Sequence, residues 1–141
     1  MSESSAVTDH LLIACDGGSR GNPGPAAIGA VVRDAQTGEL LASVSEHIGV
    51  ATNNVAEYQA LVSALETAAK LGATRVTIQA DSQLVIRQLE GSYRVRQPHL
   101  KPLFDRVRAL LAPYDDVELR HVPREENAEA DALVNAALDA S

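Results

Sequence analysis

Residues 11–32, LLIACDGGSRGNPGPAAIGAVV, contain two apolar runs separated by a segment rich in glycine and proline. The runs at 11–15 and 27–33 predict two buried strands joined by a turn. Asp16 comes directly after the first run. Two interpretations of this acid fit the stretch. Aspartate is common in tight turns, where it accepts hydrogen bonds from nearby backbone N–H groups, and a carboxylate at a strand end can also be held there for chemistry.

The rest of the chain predicts a single α/β domain. The third strand completes an antiparallel meander, and a long amphipathic helix then separates it from the fourth. A helical crossover of this kind is typical of a parallel strand pair in a mixed sheet covered by helices. In chain order, the predicted elements are strands at 11–15, 27–33 and 40–48, a helix at 54–71, a strand at 76–80, helices at 82–89 and 100–111, a strand at 117–122 and a helix near 126–139.

Composition limits the class of protein. With 141 residues, 45% of them hydrophobic, the chain has room for one domain at 11–141. The polar opening MSESSAVTDH lacks the order of a signal peptide, so 1–10 is predicted to be a flexible tail. No apolar run approaches the roughly 20 residues needed to span a bilayer, so no membrane association is expected. The single cysteine, Cys15, fits a small buried residue in a reducing cytoplasm.

The charge distribution is uneven. A net charge of −7 argues against generic binding of nucleic acid, which usually depends on a basic surface. Six basic and two acidic residues nevertheless lie between Arg87 and Arg108. This one region is therefore a possible site for a polyanion.

Four acids are placed where they can meet. Asp16 and Asp81 each follow a predicted strand, and parallel neighbours would bring them to one rim of the sheet, where α/β proteins bind ligands. Glu57 is predicted in the first turn of its helix and Asp131 early in the last helix. Each has a structural alternative as a turn, helix-start or surface residue. Together they would repel one another unless divalent cations lay between them.

Four motifs carry a resemblance to a known family. DGGSRGNPGPAAIGAVV, TNNVAEYQAL, DSQLVIRQL and HVPREENAEADALVN resemble, in order and spacing, the type 1 ribonucleases H from about Leu12 to Ala137. The resemblance implies a mixed five-stranded sheet, with its first three strands antiparallel, flanked by helices. It implies hydrolysis of the RNA strand of RNA–DNA hybrids, leaving 3′-hydroxyl and 5′-phosphate ends. Two Mg²⁺ ions, or Mn²⁺ as a substitute, would be held by Asp16, Glu57, Asp81 and Asp131, with Asp16 as the bridge.

The same resemblance implies further site residues. Some family members have a histidine ten residues before the last acid, and others have an arginine seven before it; this chain has both, His121 and Arg124, and either is a candidate to assist catalysis. The backbone at Gly17, Gly18 and Gly21 would approach the RNA, Asn22, Thr52 and Asn54 would lie near the substrate backbone, and Gln83 would reach the minor groove.

One feature of the family is missing. The lysine-rich handle that some members insert after the third acid is absent, and only the basic stretch from Arg87 to Arg108 remains. We therefore expect hybrid affinity to be weak or to depend on another protein. A monomer with no small-molecule cofactor is also expected. Two alternatives use the same fold: a module that binds RNA or hybrids without cutting them, and a nuclease acting on DNA.

Overall fold

The computed structural model describes residues 8–140. Its element order agrees with the predicted one, and a short 3-10 helix at Arg124–Asn127 is added before the last α-helix. The strands are β1 His10–Ser19, β2 Gly24–Asp34, β3 Leu40–Ala51, β4 Arg75–Ala80 and β5 Asp116–His121, and the α-helices are α1 Asn53–Ala69, α2 Gln83–Glu90, α3 Lys101–Leu111 and α4 Ala128–Ala140.

The strands form one mixed sheet in the order β3-β2-β1-β4-β5. The pairs β1–β2 and β2–β3 are antiparallel, while β1–β4 and β4–β5 are parallel. The predicted mixed five-stranded α/β fold is confirmed. β1 and β4 are neighbours, so the two strands that lead to Asp16 and Asp81 lie side by side at the centre of the sheet.

The helices cover both faces of this sheet. Neighbouring residues of a strand point to opposite faces, and in β2 Ile28 packs into the large core with α1, whereas Ala27 packs with Val134 and Leu138 of α4. α1 therefore lies on one face and α4 on the other. Among residues 8–140, none of the helices has the length and apolar character required to cross a bilayer.

The position of Asp16 differs from the prediction. β1 does not end at Cys15 but continues to Ser19, pairing with β2 as far as Ser19 opposite Ala26. Its parallel pairing with β4 does stop at Cys15, opposite Ala80. Asp16 is thus a strand residue at the point where β1 and β4 separate. The interpretation of Asp16 as a turn residue is wrong, because β1 keeps its antiparallel partner through the glycines.

Two further boundaries differ. β1 begins at His10, and Thr8 and Asp9 are already bonded to the domain: the Thr8 hydroxyl donates to Asp34 over 3.3 Å, and the backbone N–H of Arg75 donates to the Asp9 carbonyl over 3.0 Å. Residues 8–10 therefore belong with the sheet, and the rest of the predicted tail lies outside the described residues. In α1, Thr52 is the N-cap, so Glu57 lies in the second turn and not in the first.

Candidate active site

A cleft of about 300 Å³ opens where β1 and β4 separate. All four predicted acids line it, although they come from four different elements or their ends. The lining consists of Asp16, Gly17, Gly18, Ser19, Arg20, Asn53, Glu57, Asp81, Arg124, Asp131, Val134, Asn135 and Leu138.

Asp16 lies at the centre of the acids. Burial raises its pKa to about 8, with further contributions from the neighbouring carboxylates of Asp81 and Asp131, both within hydrogen-bonding range. A carboxylate in this setting holds its proton more tightly because ionisation would add charge to a group of like charges in a poorly solvated place. The site therefore concentrates negative charge around Asp16.

Glu57 reaches the cleft because α1 lies very close to β1. A Cβ atom at Gly17 would overlap the backbone carbonyl of Ala56 and lie 2.6 Å from the Glu57 nitrogen, so only glycine allows this approach. Burial raises the pKa of Glu57 to about 7; a hydrogen bond from Ser82 opposes that rise, and the charge of Asp81 adds to it. Gly17 is buried, and its lack of a side chain is explained by helix packing.

Asp81 is positioned by the helix cap that follows it in the chain and by a hydrogen bond from a distant residue, Asn127. Ser82 caps α2, its hydroxyl accepting from the Val85 N–H over 3.3 Å. The Asn127 amide donates to Asp81 Oδ1 over 3.3 Å and to the Cys15 carbonyl over 2.9 Å. Asn127 is buried, and its Oδ1 is the one buried side-chain oxygen or nitrogen in the range 8–140 without a hydrogen-bond partner. Asn127, which directly precedes α4, thus holds the start of that helix against β1 and β4 at the point where the two strands separate.

Asp131 is held by residues four and seven positions away. The guanidinium of Arg124 donates to one oxygen over 3.3 Å, and the Asn135 amide to the other over 3.5 Å. The Asp131 side chain is 27% exposed and that of Arg124 is 73% exposed. Arg124 therefore extends from the wall of the cleft, where it can contact both Asp131 and a bound anion.

The chemistry of these side chains fits divalent cations, although they do not form a closed cage. Within residues 8–140, no group of three or more histidine, cysteine or acidic side chains is arranged so that it could hold a metal ion. Mg²⁺ needs no such cage, because it keeps several waters and is usually bound by one or two carboxylates together with a substrate phosphate. Cys15 is buried, and burial raises the pKa of its thiol to about 12, which disfavours the thiolate form.

The remaining predicted residues lie around the cleft. Gly18 lines it, and Gly21 adopts a positive φ in the β1–β2 turn. Asn22 Oδ1 accepts from the Asn53 N–H over 3.0 Å, and Thr52 Oγ1 accepts from the Val55 N–H over 3.2 Å, so both shape the start of α1. The lining, within the described part of the chain, does not include six of the predicted residues: Gly21, Asn22, Thr52, Asn54 in α1, Gln83 at the start of α2 and His121 at the end of β5.

Four residues of the site were missed by the sequence analysis. Asn53 lines the cleft, and its Oδ1 accepts from both the N–H and the hydroxyl of Ser19. The spacing of Asn127 and Asn135, four residues before and after Asp131, is a helical signal that places all three on one face. Arg20 had no comparable signal. The missed residues are Arg20, Asn53, Asn127 and Asn135.

Comparisons with known proteins identify the family. A family model described as "Reverse transcriptase-like" matches residues 14–137. Ribonuclease HI of Halobacterium salinarum is 49% identical over 124 residues, which are 88% of this chain and 62% of that protein. The bifunctional protein Rv2228c of Mycobacterium tuberculosis is 46% identical over 131 residues, 93% of this chain. The chain spans only about a third, 36%, of that mycobacterial relative.

Solved structures agree with this fold. The N-terminal RNase H domain of Rv2228c has a TM-score of 0.90 at 45% identity, covering 92% of this chain and 99% of that one. RNase H1 of Halobacterium salinarum has a TM-score of 0.89 at 46% identity, covering 94% and 99%. LC11-RNase H1, isolated from compost by a metagenomic approach, was crystallised with an RNA/DNA hybrid and has a TM-score of 0.87 at 43% identity, covering 92% and 97%. This chain belongs to the type 1 ribonuclease H, or ribonuclease HI, family.

Proposed function

We propose that the protein is an endonuclease that hydrolyses the RNA strand of RNA–DNA hybrids with divalent cations, leaving 3′-hydroxyl and 5′-phosphate ends. The observation that carries the proposal is the convergence of Asp16, Glu57, Asp81 and Asp131 on one cleft. Family membership supports the substrate class, since LC11-RNase H1 was crystallised with an RNA/DNA hybrid.

The four carboxylates would hold two Mg²⁺ ions, with Mn²⁺ as a substitute. Asp16, in contact with both Asp81 and Asp131, is the carboxylate best placed to be shared by two ions. When bound, such a pair of ions activates the attacking water and stabilises the leaving oxygen. The chain's own contribution is to keep the acids together in a partly dry cleft, where cation binding relieves their mutual repulsion.

Side chains around the acids would position the hybrid. Gly18 leaves the cleft wall bare beside Asp16, so that a strand and its 2′-hydroxyls can approach the backbone. Gly21, Asn22 and Thr52 shape the turn and the helix start beside it. Gln83, exposed at the start of α2, is proposed to reach the minor groove, and Asn54 to lie near the substrate backbone.

Arg124 is the stronger of the two candidates to assist the reaction. Its guanidinium lies on the cleft wall beside Asp131, where a charge-assisted hydrogen bond to a phosphate is within reach. His121 ends β5, where it pairs with Ala80. We propose that Arg124 orients Asp131 and the substrate phosphate, with His121 in a secondary role. A monomer without a small-molecule cofactor, in a reducing cytoplasm, remains part of the proposal.

A substrate panel tests this function. The purified protein is incubated in Mg²⁺ with end-labelled RNA–DNA hybrid, double-stranded RNA, single-stranded RNA and double-stranded DNA of one sequence. We expect cutting of the RNA strand of the hybrid alone, with products that carry 5′-phosphate and 3′-hydroxyl ends. Preferential cutting of double-stranded DNA would favour the DNA-nuclease alternative. Tight hybrid binding without cutting in Mg²⁺ or Mn²⁺ would favour the binding module.

A further inference from the structure

An arginine in the β1–β2 turn lines the same cleft as the acids and has no part in the function proposed so far. The Arg20 guanidinium contacts Asp139 Oδ1 over 2.6 Å, which joins this turn to the last turn of α4. The two side chains are 51% and 66% exposed. Ion pairs this exposed contribute little to stability, so Arg20 can exchange one anionic partner for another at low cost.

The other end of the pair is an acid in an unfavourable place. The C-terminus of a helix carries partial negative charge, which disfavours an acid there, and α4 has no basic residue in its last turn. Arg20 supplies the missing cation. Asp139 therefore holds the Arg20 guanidinium at the edge of the cleft when no other anion is bound.

The position of Arg20 along the cleft points to an anion other than the reacting phosphate. Asp131, Asn135 and Leu138 line the cleft in succession along α4. From Asp131 to Asp139 is eight residues, or about 12 Å along the helix axis. Arg20 thus lies in the cleft but away from the centre of the four carboxylates.

We propose that Arg20 binds a phosphodiester group of the nucleic-acid strand beside the cleavage site, and that Asp139 competes with this strand for the guanidinium. The planar guanidinium suits a phosphate, with which it forms paired charge-assisted hydrogen bonds. The inference rests on the proposed function for the identity of the strand. This acidic protein lacks a lysine-rich handle, and Arg20 would be one of the cations that give it affinity for the hybrid.

Two substitutions of opposite expected sign test it. Steady-state cleavage of the hybrid is measured for Arg20→Gln, Arg20→Lys and Asp139→Asn at several salt concentrations. We expect Arg20→Gln to raise KM about five- to tenfold and to reduce the slope of log affinity against log salt by about one, since one phosphate contact is lost. Asp139→Asn frees Arg20 and lowers KM. Arg20→Lys retains part of the affinity, because the charge remains but the fork is lost.

A second arginine that pairs with an acid of α4 provides a matched control. Arg33 contacts Glu129 of α4 over 2.6 Å but does not line the cleft, so Arg33→Gln is expected to leave KM and the salt slope unchanged. If Arg20 merely tethers the turn to α4, then Arg20→Gln and Asp139→Asn shift KM in the same direction and lower Tm equally. That result overturns the proposal.

The inference and the proposed function fail in different ways. Anisotropy titration of a fluorescent hybrid, in EDTA and at low salt, gives Kd for the same variants without any cleavage. If the wild-type protein never cuts the hybrid, the proposed function fails, and the opposite shifts in Kd still decide the role of Arg20. If cleavage is normal and none of the Arg20 or Asp139 variants changes KM or Kd, the inference alone is wrong.

Discussion

Asp16 lies directly opposite Gly29 in the antiparallel pair of β1 and β2, and both face α4. A Cβ atom at Gly29 would overlap the carbonyl of Ala130 and lie 2.9 Å from Leu133 Cβ, so the missing side chain lets α4 rest on the sheet. This close contact brings Asp131 beside Asp16. A glycine on the neighbouring strand thus sets the spacing between two of the acids.

Gly29→Ala is therefore expected to damage both stability and activity. Backbone atoms of α4 cannot move aside as a flexible side chain can, so the added methyl group should cost about 1–3 kcal/mol of unfolding free energy and displace Asp131. Urea unfolding and hybrid cleavage measure the two effects. Gly18→Ala is the control for the unfolding measurement alone, because a Cβ there has its nearest neighbour, Val134 Cγ1, at 3.9 Å. An unchanged unfolding free energy in Gly29→Ala would contradict the close-packing explanation.

Asp16→Asn is expected to stabilise the protein in EDTA, increasingly as pH rises. The folded-state pKa of Asp16 is raised to about 8 from 3.8. The contribution of Asp16 to the free energy of unfolding is therefore fully present below pH 3.8 and is lost as pH rises through 8. Asparagine never ionises and avoids this loss. We expect nearly equal Tm values at pH 4 and a higher Tm for the variant at pH 8, by on the order of 3 °C or more.

Asp34→Asn is the control of opposite sign for this experiment. Backbone N–H groups of Gln36 and Thr37 donate to the Asp34 carboxylate and lower its pKa. Its contribution is present above the unfolded-state pKa and is lost as pH falls through the lower folded-state value. Asp34→Asn should therefore lower Tm at neutral pH and have less effect in acid. The same pH trend in both variants would show that the pKa of Asp16 is not raised.

The sequence predicted the elements well because their signals are local. Apolar alternation, the helical spacing from Tyr58 to Leu65 and the caps at Ser82 and Gly91 are readable within a few residues. The end of β1 was not predicted, because Gly17 and Gly18 resemble a turn and remain in the strand only through pairing with β2. Their partners, Ile28 and Ala27, are eleven and nine positions away along the chain.

Asn127→Ala is expected to disturb the position of Asp81, because Asn127 links that side chain to β1. The variant leaves the Cys15 carbonyl and Asp81 without their shared donor, which should cost about 1–3 kcal/mol of unfolding free energy and lower kcat. Asn135→Ala is the matched control, since its bond to Asp131 is 3.5 Å long and exposed. Equal losses of kcat in the two variants would contradict a specific role for Asn127.

Arg124→Ala and His121→Ala separate the two candidates that the sequence left open. If Arg124 orients Asp131 and the substrate phosphate, its loss should lower kcat about tenfold, or about 1.4 kcal/mol of barrier. We expect His121→Ala to stay within about twofold of the wild type. Single-turnover cleavage at pH 7 measures both. The reverse order would assign the assisting role to His121.

The site was predictable in its acids and less so in the residues that place them. Four carboxylates at family spacing were readable, but recognising that Asn53 lines the cleft beside them required the helix start at Thr52 to be fixed within one residue. Asn22 and Thr52 accept hydrogen bonds from backbone N–H groups at the start of α1, and the sequence pattern did not predict these bonds. The partner of Arg20 is 119 positions away, beyond any local signal.

The most direct test of the account measures cleavage of an end-labelled RNA–DNA hybrid by the wild-type protein and by Asp16→Asn, with Mg²⁺ and with EDTA. We predict cutting of the RNA strand by the wild type in Mg²⁺ only, and none by the folded Asp16→Asn protein. Cleavage by Asp16→Asn at the wild-type rate, or wild-type cleavage that persists in EDTA, would contradict a metal-dependent site built on Asp16.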